Sequence, residues 1–273
     1  MNDQQSRIAF IGGGNMASAI IGGLIKQGLP AAQVAVVEPF AEARARLQQQ
    51  FGVAAEEHAG PALAAAGLVV WAVKPQTFKD AAAQARAHVQ QALQLSVAAG
   101  IRSDSMKAWL GTERIVRSMP NTPALVGKGM TALYARPAVT AQDKARVEQV
   151  IATTGEHLWV AQEQHLDAVT ALSGSGPAYV FYFLEAMTQA GTEMGLDADQ
   201  ARRLAVATFA GASELARASS EPLATLRERV TSKGGTTHAA LTSLEQDGVK
   251  ASFVKALHAA CKRAEELGDE FGR

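Results

Sequence analysis

The sequence predicts an α/β domain built on a parallel sheet, followed by an all-α domain. Three observations predict it. β-branched apolar runs alternate with helix-like segments through the first half of the chain, which is the signature of βαβ units. Those runs are continuously apolar rather than alternating, as strands covered on both faces are. After about residue 163 the strand-like runs stop and helical patterns take over.

The predicted strands are Arg7–Ile11, Val34–Glu38, Leu68–Val73 and Leu95–Ala99, with shorter ones at Arg114–Arg117, Met130–Tyr134 and His157–Val160. Helices are expected at Asn15–Gln27, Ala41–Phe51, Thr77–His88 and Thr140–Thr154. The second half reads as helices at Glu163–Ser173, Pro177–Met194, Ala198–Ser219, Pro222–Val230, Thr236–Gln246 and Val249–Gly268. In the last of these Val249, Phe253, Ala256, Leu257, Ala260, Ala264 and Leu267 recur at helical spacing. The 273 residues therefore divide into 1–162 and 163–273, with no Pro/Gly linker between them.

Composition narrows the function classes. Hydrophobic residues at 48% supply a core. Lys+Arg and Asp+Glu are 26 each, so no basic excess points to nucleic acid or an anionic membrane. The single cysteine, Cys261, excludes an internal disulfide and fits a reducing, cytoplasmic compartment. In its Ala-rich helix it reads as a packing residue. The apolar stretch Ile8–Ile25 is interrupted by glycines and Asn15 and lacks the basic leader of a signal peptide. No other segment is apolar and long enough to span a bilayer. The six histidines are scattered without metal-ligand spacing, so no metal is expected.

The first strand runs into Gly12-x-Gly14-x-x-Ala17, which opens a helix. That setting makes a weak pattern specific for a dinucleotide. Gly12 allows the tight turn, Gly14 lets backbone approach a pyrophosphate, and Ala17 permits close helix–strand packing. The pyrophosphate would rest on the helix start near Asn15 and Met16. The second strand ends at Glu38, an acid placed to bond the ribose 2′-hydroxyl of NAD and repel the 2′-phosphate of NADP. Arg44 and Arg46 follow on a helix, where either meets that phosphate or lies in solvent. Residue chemistry at this strand end leans to NAD.

WAVKPQ (71–76) ends the third main strand, where backbone of Ala72, Val73 and Lys74 meets a bound cofactor and Pro75 removes a donor. Lys74 contacts ribose or phosphate, or is exposed. VAAGI (97–101) offers the small residues Ala98, Ala99 and Gly100 to a flat nicotinamide ring, or is plain packing. In RSMPNTPA (117–124), Asn121 either bonds the nicotinamide or substrate or makes a turn between prolines.

In the helical half, small residues as in TFAGASELARA (208–218) let helices approach closely. Several of these helices are too apolar for a monomer's surface, which implies burial against a second copy, the alternative being a compact helical domain packed on the sheet. LSGSGPAYVF (172–181) breaks a long helix at Gly174, Gly176 and Pro177 and should kink it, with Ser173 or Ser175 near an active site or simply at a helix crossing. The stretch VTSKGGTTHAALTSLEQ (230–246) puts Gly234, Gly235, Thr236 and Thr237 just before a helix. Helix starts present unpaired N–H groups and partial positive charge. The stretch either binds a small carboxylate or is a loop with a Thr N-cap. His238 lies beside it and is expected to point outward.

GGNMA, AVKPQ, MPNTPA, LSGSGPAY and TS-x-GGTT occur in that order over nearly the whole chain, about Arg7 to Leu267. Together they resemble the pyrroline-5-carboxylate reductase family. The resemblance implies a Rossmann domain, then a helical domain that dimerises by interlocking helices, with dimers assembling into rings such as decamers. It implies reduction of 1-pyrroline-5-carboxylate to L-proline with NADPH or NADH. Gly12–Ala17, Ala72–Pro75 and Ala98–Gly100 would hold the cofactor. Ser232, Gly234, Gly235, Thr236 and Thr237 would hold the substrate at the dimer interface, with Thr237 bonding the ring nitrogen.

The chain departs from the family in three places. Lys233 stands where the family usually has Pro, His58 and Ala59 occupy a loop near the adenosine, and Glu38 replaces a small polar residue. Three rivals stand beside the resemblance. A β-hydroxy-acid dehydrogenase would place a lysine on a helix of the second domain, and the long helix after residue 176 has none. A nucleotide-sensing scaffold would have lost the hydroxyl-rich loop, which Thr236 and Thr237 preserve. A six-membered cyclic imine is the remaining substrate alternative.

Overall fold

A computed structural model describes residues 7–272. The first six residues, part of the predicted N-terminal domain and of the segment read for a leader, lie outside the described residues, as does Arg273. The chain forms two compact units, one of residues up to Ser175 joined by those from Ala260 onward, the other Gly176–Ala259.

The first unit runs β1 (Ile8–Ile11), α1 (Asn15–Lys26), β2 (Val34–Val37), α2 (Ala41–Phe51), β3 (Ala55–Glu56), β4 (Leu68–Trp71), α3 (Pro75–Val89), β5 (Leu93–Ser96), α4 (Ser103–Leu110), β6 (Ile115–Met119), β7 (Gly129–Ala135), α5 (Ala141–Ile151), β8 (Gly155–Trp159) and α6 (His165–Val169). The strands lie in the order β3-β2-β1-β4-β5-β6-β7-β8. From β3 to β6 all neighbours are parallel. Successive strand residues face opposite layers. Ile8 and Phe10 pack with Ile20, Ile21 and Leu47 of α1 and α2. Ala9 and Ile11 pack with Trp71, Phe78 and Met106 on the α3 and α4 side. Burial on both faces explains the continuous apolar runs.

Four details differ from the expectation. β7 runs antiparallel to β6, because the connection holds only one short helical turn, Thr122–Val126, rather than a full crossover helix. β5 begins at Leu93 rather than Leu95, with the buried polar Gln94 inside it. Gln94 is satisfied by the Trp71 indole, which donates to it at 2.8 Å, and by its own bonds to the Val89 and Ala92 carbonyls. β3, of two residues, and α4 were not foreseen. At the expected kink, Thr170–Gly174 form a π-helical turn in which the Ser175 N–H donates to the Thr170 carbonyl at 2.8 Å.

The second unit comprises α7 (Gly176–Glu193), α8 (Ala198–Ala218), α9 (Leu223–Arg229), α10 (Thr236–Gln246) and the first part of α11 (Val249–Phe271). α7 packs on α8, closely enough that a Cβ on Gly191 would lie 2.9 Å from that of Ala201. Tyr179 and Phe183 meet Phe253 edge-on, at centroid distances of 5.7 and 5.6 Å. Large apolar side chains stay exposed, among them Phe181, Tyr182, Leu204 and Leu215. No helix of the described residues is long and apolar enough to cross a membrane.

Candidate active site

The strand order reverses between β1 and β4, so a crevice opens at their carboxyl ends. The β1–α1 turn lines it. Gly12 sits at φ +97°, and a Cβ there would lie 2.6 Å from the Ala72 carbonyl oxygen and 3.0 Å from Val73 Cγ1. Only glycine meets both demands. The fold thus brings Gly12 against the Ala72–Val73 backbone. Gly14 is the N-cap of α1 with no side-chain cap, and a Cβ on it would meet nothing within 4 Å. The amides of Asn15, Met16 and Ala17 at this helix start, open on the Gly14 side, fit a pyrophosphate.

Glu38 is buried at the end of β2. Its carboxylate accepts the Gly13 N–H at 2.7 Å and the Phe40 N–H at 2.9 Å. It therefore holds the Gly12–Ala17 turn in shape. A carboxylate has roughly four lone-pair sites, so this role leaves capacity for a ribose hydroxyl. Arg46 is exposed, whereas Arg44 binds the Glu38 and Pro39 carbonyls and the Glu57 carboxylate.

Lys74 is exposed and caps α3, with Pro75 in its first turn. Ala98 is buried, and a Cβ on Gly100 would lie 3.3 Å from Leu267 Cβ, so α11 backs the Ala98–Gly100 turn. Asn121 is engaged within the protein. Its Nδ2 donates to the carbonyl and hydroxyl oxygens of Ser173 at 3.2 Å each, and its Oδ1 accepts the Met130 N–H at 2.9 Å. It ties the Pro-rich loop and β7 to the π-turn.

In the second unit, Gly234 lies at φ +74° and the Gly235 N–H donates to the Ser232 carbonyl at 3.0 Å. A Cβ on Gly235 would lie 2.8 Å from Ser232 Oγ. Gly235, not a threonine, is the N-cap of α10, and no side chain caps the helix. The Thr N-cap alternative is thereby overturned. The amides at the start of α10 have no capping oxygen over them, and the Thr237 hydroxyl makes no hydrogen bond among the described residues. Lys233 and His238 are exposed.

One cluster carried no signal in the sequence. Arg117, buried on β6, pairs with Glu163 at 2.7 Å. Glu163 also accepts the Ser103 N–H and hydroxyl, each at 2.6 Å. Burial pushes the Glu163 carboxyl up, but the Arg117 charge and the Ser103 bonds more than reverse this and hold it below its ordinary range. The partners lie 60 and 46 residues apart in sequence, beyond the reach of any local pattern.

The family model described as pyrroline-5-carboxylate reductase dimerisation matches residues 163–267. A second, described as NADP oxidoreductase coenzyme F420-dependent, matches residues 7–100. A pyrroline-5-carboxylate reductase of Pseudomonas aeruginosa is 46% identical over 270 residues, 98% of each chain. The solved pyrroline-5-carboxylate reductase of Coxiella burnetii superposes with a TM-score of 0.88 at 36% identity, covering 96% of this chain and 98% of that one. That of Plasmodium falciparum, with NADP bound, gives 0.87 at 27% identity, covering 97% and 99%.

Proposed function

The chain belongs to the pyrroline-5-carboxylate reductase family, and from that premise we propose how its residues carry the reaction. The enzyme reduces 1-pyrroline-5-carboxylate to L-proline with NAD(P)H, in the last step of proline biosynthesis.

The uncapped start of α10 carries this reading. The backbone N–H groups of Gly234 and Thr236 hold the substrate carboxylate, favoured by the helix dipole; the Gly235 N–H is already given to the Ser232 carbonyl, so Gly235 serves by letting the carboxylate come close to the backbone. Ser232 shapes the loop through its carbonyl, which accepts the Gly235 N–H. The Thr237 hydroxyl accepts a hydrogen bond from the protonated imine nitrogen. That keeps the C=N bond polarised and the ring in one orientation, which is most of what an iminium needs. Bound NAD(P)H supplies the hydride to the imine carbon. The C=N electron pair then moves to nitrogen, giving the ring amine. The cofactor is held by Gly12, Gly14, Asn15, Met16 and Ala17, by Ala72, Val73, Lys74 and Pro75, and by Ala98, Ala99 and Gly100, with Glu38 at the ribose. Asn121 acts on this side by tying the loop after β6 in place.

We divide the chain into a dinucleotide part, 1–162, and a dimerisation and substrate part, 163–273, although residues 163–175 and those from Ala260 onward pack within the sheet unit. The start of the dimerisation match at residue 163 supports that division. The chain is a homo-oligomer; a ring of dimers such as a decamer, and a cytoplasmic setting consistent with a single cysteine, belong to the same reading. The test is a steady-state assay with 1-pyrroline-5-carboxylate, following NADH and NADPH oxidation separately. Turnover with either supports it; dinucleotide binding without turnover redirects the site to a larger cyclic imine or to a nucleotide-sensing role.

A further inference from the structure

The end of β2 carries an ion pair that hydride transfer does not need. Arg44 Nη1 donates to the carbonyls of Glu38 and Pro39 at 2.9 and 2.8 Å. This fixes the guanidinium beside the strand end where dinucleotide folds hold the adenosine ribose, and an arginine near that point accommodates the extra phosphate of NADP. Here Arg44 Nη2 donates to Glu57 Oε2 at 3.2 Å. Glu57 directly follows β3, whose Glu56 carbonyl accepts the Glu38 N–H at 2.8 Å, so the two strand ends are locked side by side. The side chains of Arg44 and Glu57 are 23% and 54% exposed, within reach of a ligand. Arg46, the other cation on α2, is exposed and makes no ion pair among the described residues.

We propose that Glu57 sets nucleotide selectivity. By pairing with Arg44 it competes with the 2′-phosphate of NADPH for the guanidinium, so NADPH must displace a carboxylate that NADH never meets. The inference rests on the dinucleotide reading of the Gly12–Ala17 turn. Exposed ion pairs contribute little to folding, so Glu57 is replaceable without loss of the fold.

The test is direct binding of NADH and NADPH, read by nucleotide fluorescence, to the wild type, Glu57→Gln, Glu57→Asp, Arg44→Met and the double variant Arg44→Met/Glu57→Gln. Glu57→Gln is expected to tighten NADPH relative to NADH by about two- to five-fold, the range an exposed pair is worth. Glu57→Asp keeps the charge and should stay near the wild-type ratio. In the Arg44→Met background the Glu57→Gln shift should vanish, as a double-mutant cycle requires. An unchanged ratio in Glu57→Gln overturns the proposal, and that variant decides alone if Arg44→Met does not fold. So does a shift that survives Arg44→Met, which marks plain repulsion through space. Nucleotide binding without turnover of 1-pyrroline-5-carboxylate sinks the reductase reading and leaves the ratio readable. Failure of the wild type to bind either nucleotide sinks both.

Discussion

At the scale of single residues, the Gly12 turn and the Gly234–Gly235 loop each rest on backbone geometry, and that is why glycines marked them. Gly12→Ala forces a Cβ to 2.6 Å from the Ala72 carbonyl oxygen at φ +97°. It should cost about 2 kcal/mol or more of stability and weaken both nucleotides, read by a thermal melt and a fluorescence titration. Thr237→Ala removes the hydroxyl together with the γ-methyl and should lower kcat/KM at least ten-fold, on the order of 1.4 kcal/mol, with the melt nearly unchanged. Thr237→Ser should recover most of it. Near-normal activity in Thr237→Ala would remove Thr237 from the mechanism. Glu38 was legible as an acid at the end of β2, but not as the acceptor of the Gly13 and Phe40 N–H groups. Those bonds depend on how the Gly12–Ala17 turn folds back over β2, which residue spacing does not encode. The same holds for Asn121, whose partners Ser173 and Met130 meet it only in three dimensions.

At the scale of elements, β6, α4 and the approach to α6 are joined through Arg117, Ser103 and Glu163. Because the folded carboxyl of Glu163 titrates below its ordinary 4.5, its contribution is fully present above that value. It is lost as pH falls through the lowered folded value. Glu163→Gln leaves Arg117 buried beside a neutral amide and should cost about 3 kcal/mol or more at neutral pH. Its stability should also decline less steeply than the wild type's below pH 4.5, measured by urea unfolding at several pH values. Long periodic elements such as α8 and α11 were legible because one face repeats over many turns. β3 was not, since two residues carry no period. β5 was misplaced because Gln94 looks like a strand boundary until Trp71 and the α3 end are seen to satisfy it.

At the scale of the molecule, the second unit buries few side chains, and Tyr182 and Leu215 are 69% and 70% exposed. Exposed apolar faces of this kind mark an association surface, in keeping with the dimerisation match. The paired variant Leu204→Glu/Leu215→Glu should run as a monomer in light scattering and lose turnover; an unchanged oligomer would place the interface elsewhere. The apolar excess was legible in the sequence, but which helices stay bare was not, because that depends on how α7 and α8 cover each other. The sheet unit, finally, is discontinuous: Ser105 donates to the Gly272 carbonyl, and Gly100 abuts Leu267. During translation the Ala98–Gly100 turn emerges from the ribosome long before its brace, since Arg102 waits 163 residues for the Glu265 carbonyl it binds. A nascent chain halted before α11 therefore carries a complete Gly12–Ala17 turn but an unbraced Ala98–Gly100 turn.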